Sequence, residues 1–252
     1  MLAAVQPTQI LSDAHVVDAR QLCEVDGRGV WFGRVEGSSA LAAHQELRRH
    51  DGWYPVFVGA QDAEIEHYTW PRDLLEQLPA HFVHGARLSA IRREAVHASN
   101  ARLEQLALAA SECPGEPIEG DERATRPVPN FLYDEGQEPL WGWQWLVLLP
   151  ADNIAEAYAL LPDVERFAGP PLPELLAHLT RWLGVHGVDL IAADVFTITL
   201  RPRALPTPKE AMALATEMCR LSADMMLLSG YRPSRLAHRL LEAEYWELQL
   251  DT

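Results

Sequence analysis

Lysine is almost missing from this chain, which carries Lys209 alone and meets its remaining need for positive charge with arginine. Cysteine is scarce as well. Cys23, Cys113 and Cys219 are widely separated, odd in number and free of any CxxC pairing, which excludes a disulfide framework and a zinc ribbon and reads as free thiols in a reducing compartment. No neighbour in sequence marks any of the three as an activated nucleophile. No apolar run approaches the roughly 18 residues that a membrane-spanning helix requires. The opening MLAAVQPTQILSDA has no basic residue ahead of its short apolar stretch, unlike a secretory signal, so the expected location is the cytoplasm. Established catalytic signatures are also lacking: there is no GxSxG elbow, HExxH pair, GxGxxG fingerprint or phosphate-loop lysine.

What the chain does have is acid. Across 252 residues, 36 acidic side chains face 21 basic ones, a formal charge of −15. The excess is even, with 19 acidic and 12 basic residues in 1–126 and 17 and 9 in 127–252. Such a field repels nucleic-acid phosphates and anionic lipid and steers a basic protein inward, so the expected partner is a basic protein, with no nucleic acid and no membrane. Solubility alone also explains an acidic surface. A composition that is 48% hydrophobic and 23% charged is that of an ordinary globular protein.

Along the chain, strand and helix signals alternate. The stretch to Glu24 reads as a short helix or strand. GVWFGRV (29–35) reads as a strand, and Ser38 or Ser39 is placed to cap a helix from Ala40 to His50 with Leu41 and Leu47 buried. Asp51-Gly52 ends that helix before the strand WYPVFVG (53–59), where Pro55 marks a strand start or a sheet edge. Pro71 opens a short helix, and residues 86–110 show the longest helical spacing. Further helices are expected over 153–161, over 172–185 with Leu175, Leu176, Leu179, Trp182 and Leu183 on the apolar face, from Thr207 to about Leu221, and from Pro233 to Ala243. Thr207, Pro208 and Glu210 form a capping box with proline at the first helical position. Strands are expected over 141–149, over 187–192 and 195–201 as a hairpin, and over 245–250.

These elements predict an α+β fold, a mixed, mainly antiparallel sheet of about six strands flanked by helices. Residues 114–139, rich in proline, glycine and acid, divide the chain into an N-terminal α/β region (1–113), a linker or loop (114–139) and a C-terminal α+β domain (140–252).

From about residue 145 onward the chain resembles a bacterial family known as domain of unknown function 4253. The likeness rests on WLVLLPAD, RWLGVHGVDLIAA, DVFTITLRPRALPTPKEAMALATEMCRLSADMM and the terminal YWELQLD. Arg201-Pro202, Pro208, Glu210, Ala211, Ala213, Leu214, Ala215, Asp224, Trp246 and Asp251 match its pattern, and HDGWYPVFVG resembles its upstream Gly-Trp-x-Pro strand. The chain departs from that pattern where Ser222-Ala223-Asp224 replaces a Cys-Pro-Asp and where Leu248-Gln249-Leu250 replaces a more aromatic ending. The resemblance implies a fold and carries over no catalytic residue.

Local clusters suggest little chemistry. His81 and His84, or His44 with His50, lack a carboxylate at ligand spacing, so no metal is expected. Pairs such as Glu64 with Glu66 and Asp134 with Glu135 read as solvated loop charge, and no cofactor is expected. Trp141, Trp143 and Trp145, alternating on one strand, share a face that serves either as core or as a groove for a partner. The expected function is therefore non-enzymatic binding inside the cell, most concretely a bacterial immunity protein neutralising a cationic toxin. Candidate partner contacts are Glu119, Asp121, Glu122, Asp134, Glu135, Glu138, Trp141 and Trp143. The alternative is an enzyme or small-ligand binder whose polar residues meet only in three dimensions.

Overall fold

The computed structural model describes residues 6–60, 143–161, 170–193, 197–228 and 232–250. In chain order these form α1 (Pro7–Asp13), β1 (Val17–Val25), β2 (Arg28–Glu36), α2 (Ala40–Leu47), β3 (Tyr54–Ala60), β4 (Trp143–Leu149), α3 (Ile154–Ala159), α4 (Leu172–His186), β5 (Asp189–Ala193), β6 (Thr197–Arg201), α5 (Pro208–Leu221), α6 (Ala223–Leu228), α7 (Pro233–Glu242) and β7 (Trp246–Gln249). Their strands make one mixed sheet in the order β1-β2-β4-β3-β5-β6-β7. The fold is α+β: β1 with β2, β2 with β4, β3 with β4 and β6 with β7 are antiparallel, while β3 meets β5 in parallel at Phe57 opposite Ala192. The described residues group into two compact units, one holding α1, β1, β2, α2, β3, β4 and α3, the other α4, β6, α5, α6, α7 and β7.

In the first unit, β1 and β2 close a hairpin through Asp26 and Gly27, whose φ values of 52° and 75° belong to the left-handed pair of a two-residue turn. β4 then pairs on one side with β2 and on the other with β3, so a strand that follows residues 114–139 lies between two that precede them. Pro55 stands second in β3, a strand with neighbours on both sides, which selects the strand-start reading over the sheet-edge one. The buried row of α2 is Ala40, Ala43, His44 and Leu47, with Leu41 only half-buried. Ser39 occupies the N-cap without a side-chain bond, because a 3-10 turn over Gly37–Ser39 feeds the helix and Ala40 N–H already donates to Gly37 O.

In the second unit, α4 ends at Gly187, whose φ of 63° is the left-handed conformation that glycine adopts without steric cost. Leu175, Leu176, Leu179 and Trp182 are buried along α4 as expected, but Leu183 is 37% exposed. Its angular position is right; the last turn is uncovered on that side, where Gly184 and Val185 are exposed too. α5 begins with the capping box read from sequence: Glu210 N–H donates to Thr207 Oγ1, and Thr207 N–H donates to Glu210 Oε2 at 2.7 Å. Thr207→Ala is expected to cost about 1 kcal/mol of stability and Thr207→Ser much less. Thermal unfolding of the two variants checks this, and equal midpoints for wild type and Thr207→Ala would show that the cap contributes nothing. Trp246, Leu248 and Leu250 are buried while Tyr245, Glu247 and Gln249 are half-buried, the alternation expected of a strand packed on one face.

Candidate functional site

The strongest concentration of chemistry among the described residues joins α4 to α5. His178, Arg181 and Trp182 stand at positions i, i+3 and i+4 of α4, the spacing that stacks side chains on one helix face. Opposite them Glu217 projects from α5 with only 8% of its surface exposed. Trp182 Nε1 donates to Glu217 Oε2 at 2.9 Å, His178 Nδ1 lies 3.3 Å from the same oxygen, and Arg181 Nη1 donates to Oε1. An ionised carboxylate has no proton to give, so His178 donates from Nδ1. Burial pushes the Glu217 carboxyl up. The hydrogen bonds from His178, Trp182 and Arg181, together with the Arg181 charge, outweigh it and hold the group below the ordinary carboxylate range.

Both oxygens of this carboxylate are engaged and its charge is balanced by a guanidinium. The arrangement is suited to locking two helices in register, since an anion that accepts three donors has little basicity left for proton abstraction. Beyond it on the last turn of α4, His186 is 8% exposed and sits 5.3 Å from Trp246 with the two rings at 82°. Ser222 Oγ accepts from Met225 N–H at 3.3 Å and so holds the α5–α6 junction.

In the first unit the Trp-bearing strand meets aromatic and cationic neighbours. Trp145 is half-buried and stacks on Phe32 at 5.1 Å, and Arg20 lies over the other partner ring with its guanidinium carbon 5.6 Å from the Phe32 centroid. This is a cross-strand ladder over β1, β2 and β4, intermediate between core and open groove. The opposite face of β4 carries Gln144, which is fully buried, and among the described residues neither atom of its amide finds a hydrogen-bond partner. Arg28 and Arg48 cover Trp53 and Tyr54, with ring distances of 4.8 and 4.0 Å, and both also donate to backbone carbonyls, Arg28 to Gly52 O and Arg48 to Trp53 O at 3.4 Å. These arginines fasten the α2–β3 loop to the sheet.

Of the residues singled out from sequence, Glu119, Asp121, Glu122, Asp134, Glu135, Glu138 and Trp141 lie outside the described residues, as do Cys113, His81, His84, Glu64, Glu66 and the helices expected near Pro71 and over 86–110. Trp143 is the first residue of β4, opposite Glu36 in register. His44 is buried against Phe57 at a ring distance of 6.1 Å, and His50 is half-buried. Cys23 and Cys219 are free thiols; burial, then the neighbouring Glu24, pushes Cys23 up to about 11, so it stays protonated at neutral pH. No group of three or more His, Cys, Asp or Glu among the described residues is placed to hold a metal ion, and no helix described is long and apolar enough to cross a membrane.

Sequence reading missed Glu217, His178 and Arg181, and placed Trp182 on the apolar face of α4 without its bond to the acid. The signal that marks them is a carboxylate inside the apolar row Ala211, Leu214, Ala215 and Met218 of α5, a place where an acid needs compensating donors. No family model, curated protein or solved structure matches this chain.

Proposed function

We propose that this chain is a non-enzymatic binding protein whose acidic surface engages a basic protein, most concretely a bacterial immunity protein that neutralises a cationic toxin by covering its active site. The observation that carries the reading is the formal charge of −15, set beside the way the buried acid is handled. Glu217 is neutralised internally by Arg181, whereas Asp13, Glu24, Asp26, Glu36 and Asp51 of the first unit are all exposed. These described acids thus face outward, where charge governs the rate of encounter more than the strength of the final contact.

Under this reading Glu116, Glu119, Asp121, Glu122, Asp134, Glu135 and Glu138 act as steering charges, with Trp141 and Trp143 as anchoring contacts. The test begins with the native protein recovered with its bound protein, which mass spectrometry identifies and which is expected to be basic. Neutralising the seven acids together is then expected to slow association by about tenfold or more at low salt and to flatten its salt dependence, with the unfolding midpoint unchanged. An unchanged association rate at low salt would remove these residues from the mechanism. Recovery of the native protein with a small molecule in place of a basic protein would favour a ligand-binding or enzymatic role instead.

A further inference from the structure

The sheet ends in a strand whose largest side chain packs against a histidine. β7 is four residues long, stands at the end of the strand order and pairs with β6 through Leu200 opposite Trp246. Trp246 is 1% exposed, and its indole N–H is buried without a hydrogen-bond partner among the described residues. One ring lies against it edge to face, that of His186. Of the His186 main chain, the carbonyl accepts from Arg203 N–H at 3.1 Å, which fixes the end of α4 from which the imidazole projects.

We propose that His186 is an acid-responsive latch for β7: as the neutral imidazole it packs on Trp246 and holds the strand, and on taking up a proton it loosens that contact and frees β7 from β6. The charged groups around it set the working range. Burial disfavours the imidazolium most, and Arg181, on the same helix, adds to that. Glu210 and Glu217 of α5 pull the other way, as does the position in the last turn of α4, where a helix favours a cation. Trp246 brings no charge from β7, and Arg203, whose side chain lies over Gly187, adds a further cation near the helix end. The balance leaves His186 below its ordinary value of 6.5. A group depressed in the folded state leaves stability intact above the unfolded value and removes it as pH falls below that point, levelling off once the folded imidazole itself takes the proton. A short strand at the end of a sheet can respond to this alone, because its release breaks one ladder and leaves the other pairings in place.

Hydrogen exchange of the full chain, corrected for the intrinsic pH dependence of exchange, tests the latch. Between pH 7.5 and 5.0 the amides of Trp246–Gln249 are expected to lose protection by up to about tenfold per pH unit below 6.5, while those of α5 keep theirs. His186→Phe, which retains a ring and cannot be protonated, is expected to hold β7 protection constant over that range. Where that variant folds poorly, an NMR titration of the wild-type chain decides the matter: the His186 imidazole and the β7 amides should share one midpoint. Equal acid loss at β7 in wild type and His186→Phe, constant protection in wild type, or separate midpoints would each overturn the proposal.

Discussion

Glu217→Ala is expected to lower the unfolding free energy by about 3–5 kcal/mol at pH 7, the range for breaking a buried ion pair by removing one partner. Three donors lose their acceptor at once, and Arg181, whose side chain is 18% exposed, keeps a charge it can only partly return to water. Urea unfolding measures the effect, and a midpoint equal to wild type would show that the three donors find other partners. The pH dependence has a definite sign. The folded carboxyl lies below its ordinary value of 4.5, so its contribution is complete above that pH and is lost as pH falls through the window beneath it. The difference between wild type and Glu217→Ala should therefore be largest near neutrality and shrink under acid. Replacing both Glu217 and Arg181 by apolar residues of similar volume is expected to restore only part of the loss, since it removes the buried charge but leaves the His178 and Trp182 donors without their acceptor.

Trp246→Ala is the second large effect, at about 3–5 kcal/mol, because it empties a fully buried site at the end of the sheet. Against a total stability of about 5–15 kcal/mol for a domain, that is enough to unfold much of the population on mild heating. Trp246→Phe is expected to retain most of the stability: it keeps a ring against His186 and removes an indole N–H that has no partner among the described residues. Thermal and urea midpoints distinguish the two variants. Unfolding of Trp246→Ala at the wild-type midpoint would show that the side chain is exposed in solution and would open a binding role for it.

Much of the second unit was legible because its rules are local. Thr207, Pro208 and Glu210 mark a helix start through bonds that span three residues, and the alternation Trp246, Leu248, Leu250 marks a buried strand face through backbone geometry alone. The β1–β2 hairpin had an equally local signal in Asp26-Gly27, yet the segment before it read ambiguously. Its polar residues hide the strand, since β1 is exposed along most of its length and shows no apolar alternation. Leu183 exposes the limit of periodicity: an apolar residue at a suitable angle is buried only where another element covers it.

Composition and local pattern by themselves determined the α+β class, the capping of α5, the buried face of β7 and the formal charge of −15. Only the tertiary structure decided that β4 inserts between β2 and β3, and that His178, Arg181 and Trp182 enclose Glu217 across more than thirty residues of intervening chain. The physical reason is range. A cap or a strand face depends on neighbours a few residues away, so the code is contiguous; strand insertion and the pairing of a buried acid depend on which surfaces exclude water together, and no spacing along the chain records that.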